Sequence, residues 1–330
     1  MTGRHAAPPL IRGRSPQIMI RADRISKQFG SVRALDSVSV SVARGTVLAL
    51  LGHNGSGKTT LVNILTTCLP PSSGEASIAG FNVTHEPREV RKRIGLTGQF
   101  AAVDGKLTAR GNLILIARLL GAGRRAARAR ADTLLELFGL QHVAARRADT
   151  YSGGLRRRLD LAMSLVGRPE VIFLDEPTTG LDLSSRIGLW EIVKSLVAEG
   201  TTILLTTQHL EEADRLADSI AILSAGVVVA SGTPAELKAR IGQRKLTVTL
   251  TTVEQTSAAK GMLARAGMEL ETDCENNTVV LPIRAIEEMA SVVTRLDQAG
   301  IEVGGLTFSQ PSLDDVYLAL ATQPQPGPHA

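Results

Sequence analysis

Residues 46–65 read TVLALLGHNGSGKTTLVNIL. A continuous apolar run, suited to a strand buried on both faces, stops at Gly52, and a helical apolar pattern begins at Leu61. The intervening loop has the pattern G-x-x-x-x-G-K-[ST], and its strand, loop, helix context constrains the fold more than any other feature of the chain. Gly52, Gly55 and Gly57 let the backbone curl so that successive N–H groups converge on a phosphate, and the helix N-terminus adds its partial positive charge. Lys58 is placed to reach the β and γ phosphates, and the Thr59 hydroxyl to hold Mg²⁺. The whole loop, Gly52, His53, Asn54, Gly55, Ser56, Gly57, Lys58, Thr59 and Thr60, is expected to cradle a nucleotide.

Two further buried runs, EVIFLDEP (170–177) and TTILLTTQ (201–208), and the alternating segments IMIRADRISKQF and VRALDSVSVSVARG extend the pattern. Buried strands separated by helices predict a mostly parallel sheet covered on both sides, with antiparallel edge strands and a ligand site at the strands' carboxyl ends. The fold class is α/β: a P-loop ATPase domain over 19–242 with a helical subdomain at 104–168. After Gly242 the texture changes to strand, helix, strand, strand, helix, strand, the order of a small α+β ferredoxin-like domain over 243–322. Residues 1–18 and 323–330, rich in Pro and Gly, read as flexible tails.

The motif VIFLDE ends the second buried strand in two carboxylates. Side chains alternate along a strand, so Asp175 and Glu176 divide the work, one reaching Mg²⁺ through water and the other the attacking water. Lys and Arg exceed Asp and Glu by 37 to 32, a charge of +5 that is too mild and dispersed to argue nucleic-acid binding. The stretch RRAARARAD (124–132) reads as a solvated helix face. No apolar run approaches the ~20 residues of a membrane-spanning helix. Cys68 and Cys274 lack metal-ligand spacing, and a reducing cytoplasm suits them.

The segments TGQ (97–99), YSGG (151–154), LDEPTTGLD (174–182) and TTQHLEEAD (206–214) occur in the order of the ATP-binding-cassette family, and residues 20 to 235 resemble it. The resemblance implies a role for each matched residue. Phe29 stacks on adenine, Gln99 senses Mg²⁺ and the γ-phosphate, Asp175 is the magnesium-associated Asp, and Glu176 is the catalytic base. His209 contacts the γ-phosphate, and Asp182 lies in the loop that crosses between two cassettes. Ser152, Gly153 and Gly154 bind the γ-phosphate of ATP held by the opposite cassette. With one phosphate loop and one such signature in the chain, the resemblance implies a homodimer. Tyr151, Leu155 and Leu183 depart from the family pattern. Three arginines follow the signature; consecutive helical residues point about 100° apart, so at most one or two face the nucleotide and the others pair with acids or face solvent.

The phrases TGQFAAVDGKLTARGNL, TYSGGLRRRLDLA, LLTTQHLEEADRLAD and PSLDDVYLAL narrow the resemblance to ATP-binding subunits of daunorubicin/doxorubicin-resistance exporters, which often carry Tyr at the place of His209. That resemblance implies an ATP hydrolase attached, through a separate membrane permease, to the cytoplasmic face of the membrane, with no nucleic-acid partner. A soluble cassette protein acting on ribosomes or DNA usually shows paired cassettes, a coiled-coil insertion or zinc cysteines. A purely regulatory module is expected to lose Lys58 or Glu176, and both are present.

Overall fold

The computed structural model describes residues 17–98, 103–241, 244–268, 270, 277–283, 286–309 and 312–321. They divide into two compact units. The first holds the described residues up to Gln208 with Leu216–Val228, and the second holds His209–Arg215 with the described residues from Val229 onward.

The first unit opens with β1 (Ile18–Phe29), β2 (Val32–Ala43), β3 (Val47–Leu51), α1 (Lys58–Leu65), β4 (Ser73–Ile78), β5 (Phe81–Asn82), α2 (Pro87–Arg91) and β6 (Ile94–Thr97). A helical stretch, α3 (Ala109–Leu119), α4 (Arg124–Leu137) and α5 (Gly153–Ser164), precedes β7 (Val171–Asp175), α6 (Leu183–Ala198) and β8 (Thr202–Thr207). Next along the chain come α7 (Leu210–Leu216), which belongs to the second unit up to Arg215, β9 (Ser219–Ser224) in the first, and β10 (Val227–Gly232), which the first unit holds only to Val228.

The expected parallel sheet and antiparallel strands are present, the latter in a sheet of their own rather than at the edge of the parallel one. The alternating segments form the antiparallel pair β1 and β2 in a sheet of order β2-β1-β4-β5. The second sheet has the order β10-β9-β3-β8-β7-β6, and β9, β3, β8, β7 and β6 run parallel. Its central strands β3, β7 and β8 are buried at every residue, which explains the apolar runs VLALL, VIFL and ILL within them. Strand β6 and the β4–β5 pair had no assignment in the sequence reading: Ile94–Thr97 is a short edge strand, and β5 has only two residues. One apolar cluster joins Val103 and the helical stretch to Trp190 of α6. In α4 the solvated-face reading holds for most arginines, but Arg130 folds back to donate to the Leu165 carbonyl at 2.5 Å.

In the second unit, α8 (Pro234–Ile241) is followed by β11 (Arg244–Leu250), α9 (Val253–Arg265), β12 (Thr278–Ile283), α10 (Ile286–Gln298), β13 (Val303–Ser309) and α11 (Leu313–Ala321). The strands form an antiparallel sheet of order β12-β11-β13. A first strand flanked by the third and fourth is the ferredoxin-like arrangement, and most of the remaining strand expected, MELETD, lies outside the described residues. Helix α11 packs on α8. The contacts thus group α8 with the C-terminal elements, although the texture of the sequence changes only after Gly242. No helix among the described residues is long and apolar enough to cross a membrane.

Candidate functional site

The carboxyl ends of β3, β6, β7 and β8 carry the residues that matter, as the parallel topology requires. Gly57 is the N-cap of α1 at φ 109°, and a Cβ there would stand 2.8 Å from the Ala34 carbonyl oxygen, so only glycine allows this loop. Lys58, 5% exposed, donates from Nζ to the carbonyls of Gly52 at 2.7 Å and His53 at 3.2 Å. The same ammonium lies 3.7 Å from Glu176 Oε1. Burial pushes its pKa below the ordinary lysine value, and the Glu176 and Asp175 carboxylates oppose that shift without cancelling it.

Glu176 departs from the alternation expected of a strand. Strand β7 ends at Asp175, and Glu176 takes φ +47°, a left-handed conformation that costs a non-glycine residue about 1–3 kcal/mol. Its backbone N–H donates to the Thr206 carbonyl at 3.0 Å and lies 3.1 Å from Thr206 Oγ1. The Thr206 hydroxyl donates to Asp175 Oδ1, and Thr179 Oγ1 donates to Glu176 Oε2 at 3.3 Å. Thr206 pairs with Asp175 across the parallel β7–β8 ladder. The sequence reading missed Thr206; the signal available was the strand TTILLTTQ, whose register against β7 is a tertiary fact.

ATP and Mg²⁺ fit these residues. Ser56 Oγ is buried in the loop without a hydrogen-bond partner. A Cβ at Gly55 would meet nothing within 4 Å, so the backbone there borders open space. Thr59 and His53 are exposed, Thr60 is half-buried, and Asn54 is exposed with its carbonyl 2.7 Å from His53 Nδ1. Asp175 and the Thr59 hydroxyl are hard oxygen ligands, the type that Mg²⁺ takes together with phosphate oxygens.

The signature segment starts α5. Ser152 is its N-cap, accepting from the Leu155 N–H at 3.4 Å, and Ser152 and Gly153 are exposed, leaving the helix N-terminus open to an anion. Gly154 has a second reason to be glycine: a Cβ there would fall 2.3 Å from Ser185 Oγ on α6. The departures at either end have structural accounts. The Tyr151 hydroxyl donates to the Val143 carbonyl at 2.6 Å, burial raises its pKa, and both Tyr151 and Leu155 pack on the core of the helical stretch.

The three arginines part company. Arg156 Nη2 reaches the Val103 carbonyl at 3.4 Å, and Arg158 lies against Gly188, where a Cβ would meet its Nη2 at 2.4 Å. Arg157 turns inward, bonding the Pro177, Gly98 and Asp175 carbonyls and pairing with Asp160. The sequence reading expected at most one or two to face the nucleotide and the others to pair with acids or face solvent; backbone carbonyls were not foreseen, because their positions depend on distant strands.

Other expected residues are placed as follows. Phe29 ends β1, 47% exposed, with Lys27 Nζ over one face of its ring, 5.2 Å from the centre. Asp182 caps α6, accepting from the Ser185 N–H at 2.8 Å and the Ser184 hydroxyl at 2.7 Å; these bonds lower its pKa. Leu183 is the first residue of α6 and is exposed. Gln99 lies outside the described residues. His209 falls in the second unit, just before α7, where its carbonyl accepts from the Glu212 N–H at 3.2 Å.

Residues 35–179 match the ABC transporter family, and residues 232–321 match the C-terminal domain of DrrA1-3-like ATP-binding proteins. The chain is 48% identical over 301 residues to the daunorubicin resistance ATP-binding protein DrrA3 of Streptomyces coeruleorubidus, covering 91% of this chain and 95% of that one. It is 43% identical over 311 residues to the doxorubicin resistance ATP-binding protein DrrA of Mycobacterium tuberculosis (strain CDC 1551 / Oshkosh), covering 93% and 94%. Among solved structures, a dimeric ATP-binding cassette in a post-hydrolysis state, bound to ADP and Pi, superposes with a TM-score of 0.60 at 25% identity, covering 65% of this chain and 98% of that one. Phosphate loop, acidic strand end and signature helix on this sheet, with full-length similarity, assign the chain to the ABC transporter family, as an ATP-binding subunit of the daunorubicin-resistance DrrA type.

Proposed function

We propose that this ATP hydrolase works as a homodimer of cassettes that energises a separate integral-membrane permease at the cytoplasmic face of the membrane, exporting a hydrophobic drug, antibiotic or lipid. The observation that carries the catalytic part is the meeting of Lys58 and Glu176: a loop lysine and a strand-end carboxylate, 3.7 Å apart and both under 10% exposed. Lys58 neutralises phosphate charge while Glu176 accepts the proton of the attacking water. Thr59, Gln99 and Asp175 hold Mg²⁺, which when bound neutralises charge developing on the transferred phosphoryl group. Phe29 stacks on the base, and His209 orients the γ-phosphate. Ser152–Gly154 serve the nucleotide of the other protomer, and Asp182 lies in the loop that crosses between the cassettes.

The dimer reading is supported by the open N-terminus of α5 and by the dimeric cassette among the structural relatives. The permease reading is supported by the two resistance proteins, and by a cleft of about 690 Å³ bordered by β6, α3 and α5. Beside it Leu119 and Leu120 are 73% and 63% exposed, apolar surface of the kind a protein partner covers. Residues 243–322 serve permease assembly or dimer stability; a truncation that keeps both would refute that role.

Glu176→Gln tests the core of the reading. ATP binding persists, a nucleotide-bound dimer accumulates on size exclusion, and phosphate release stops; near-normal hydrolysis removes the assignment. Co-purification of the full chain with an integral-membrane protein rather than nucleic acid tests the partner.

A further inference from the structure

The second arginine after the signature is the feature of the site that the mechanism above leaves unused. Arg157 lies on the second turn of α5 with its side chain 12% exposed. Its Nε donates to the Pro177 carbonyl at 2.9 Å, and Nη2 to the Asp175 carbonyl at 3.0 Å. Nη1 donates to the Gly98 carbonyl at 2.7 Å and lies 3.3 Å from Asp160 Oδ2. Asp175 and Pro177 flank Glu176. The guanidinium therefore grips the carbonyls on both sides of the residue held at φ +47°.

A left-handed non-glycine residue persists only where its surroundings over-determine it. At Glu176 the determinants lie on two sides: Thr206 binds the N–H from β8, and Arg157 binds the adjoining carbonyls from α5. The third carbonyl, at Gly98, immediately precedes Gln99. One planar fork thus links the helix that begins at the signature serine, the turn that carries the carboxylate and the exit of β6. Lysine cannot replace it, because an ammonium is a point donor that does not span three divergent carbonyls.

We propose that Arg157 is a positioning residue for hydrolysis: it holds the backbone of Glu176 and couples it to the signature helix. This rests on Glu176 being the base. A purely structural alternative exists, since Arg157 also compensates the buried Asp160, which is 4% exposed. Arg157→Lys separates the two, keeping the charge beside Asp160 and discarding the fork.

The test uses the full chain, with ATP turnover, fluorescent ATP-analogue affinity and thermal unfolding measured on each variant. Arg157→Lys is expected to lower kcat about tenfold or more, with analogue affinity within about twofold of the parent and the unfolding midpoint nearly unchanged. Arg157→Gln/Asp160→Asn, which leaves no unpaired charge, is expected to show the same kcat loss and covers the case in which Arg157→Lys fails to fold. Arg156→Ala is expected to retain turnover. Turnover near the parent value in either Arg157 variant overturns the proposal. So does a kcat loss matched by equal loss of affinity, or an equal loss in Arg156→Ala. Normal hydrolysis by Glu176→Gln sinks the base assignment itself, whereas inactive Glu176→Gln with active Arg157→Lys sinks the clamp alone.

Discussion

The cassette core and the C-terminal sheet handle charge differently. Around β3, β7 and α5 the protein buries Lys58, Asp160 and Asp175, each 5% exposed or less, and surrounds them with carbonyls, a threonine hydroxyl and opposite charges. From Arg244 onward, the buried polar residue among the described residues is Thr256, 8% exposed. The Lys245–Asp315 pair there, at 3.4 Å, leaves about a third of each side chain exposed. A buried charge is tolerated only where its desolvation is offset by convergent partners. The concentration of such partners marks the cassette as the chemical region, and the C-terminal sheet, with Leu246, Val248 and Leu250 inside, as a packing unit.

The largest expected effect on this contrast is that of Glu176→Gln, a loss of about 10²–10⁴ in kcat by the usual worth of a general base, read from phosphate release. Next is Leu246→Ala in β11, fully buried, which should destabilise the C-terminal unit by about 2–5 kcal/mol in calorimetry and leave the ATP affinity of the cassette intact. A parallel loss of ATP affinity would break the separation of roles. Thr206→Val removes the hydroxyl that donates to Asp175 and stands beside the Glu176 N–H; a loss of about 1–3 kcal/mol, roughly 5- to 150-fold in kcat, is expected from steady-state kinetics.

The smallest effect is that of Asp182→Ala, which removes the α6 cap. Hydrogen bonds from the Ser185 N–H and the Ser184 hydroxyl lower the Asp182 pKa in the folded state. Its contribution is therefore fully present above the unfolded value of 3.8 and lost as pH falls through the lower, folded one. Melting curves of parent and variant should differ at neutral pH and converge in strong acid; a gap that widens on acidification would contradict the cap.

Legibility followed chain distance. The phosphate loop at 52–60 and the acidic strand end depend on residues adjacent in sequence, so pattern and spacing alone revealed them, whereas the signature at Ser152–Gly154 was legible only through the family resemblance. The buried strands were legible too, because a strand covered on both faces is dominated by apolar residues. The short strand β6 escaped notice: four residues carry too little periodicity to register. The conformation of Glu176 also escaped, since alternation was extended one residue beyond the strand's end.

By itself, then, the sequence determined the class of chemistry, the phosphate loop and the buried strands, because those are properties of local backbone and composition. Only the tertiary structure decided that Gly154 must clear Ser185, that Tyr151 ends at the Val143 carbonyl, and that Arg157 grips the carbonyls of the residues on either side of Glu176. Each of those facts depends on where a strand or helix far along the chain comes to rest. A side chain's partner is set by that packing, and the residue's own neighbours carry no record of it.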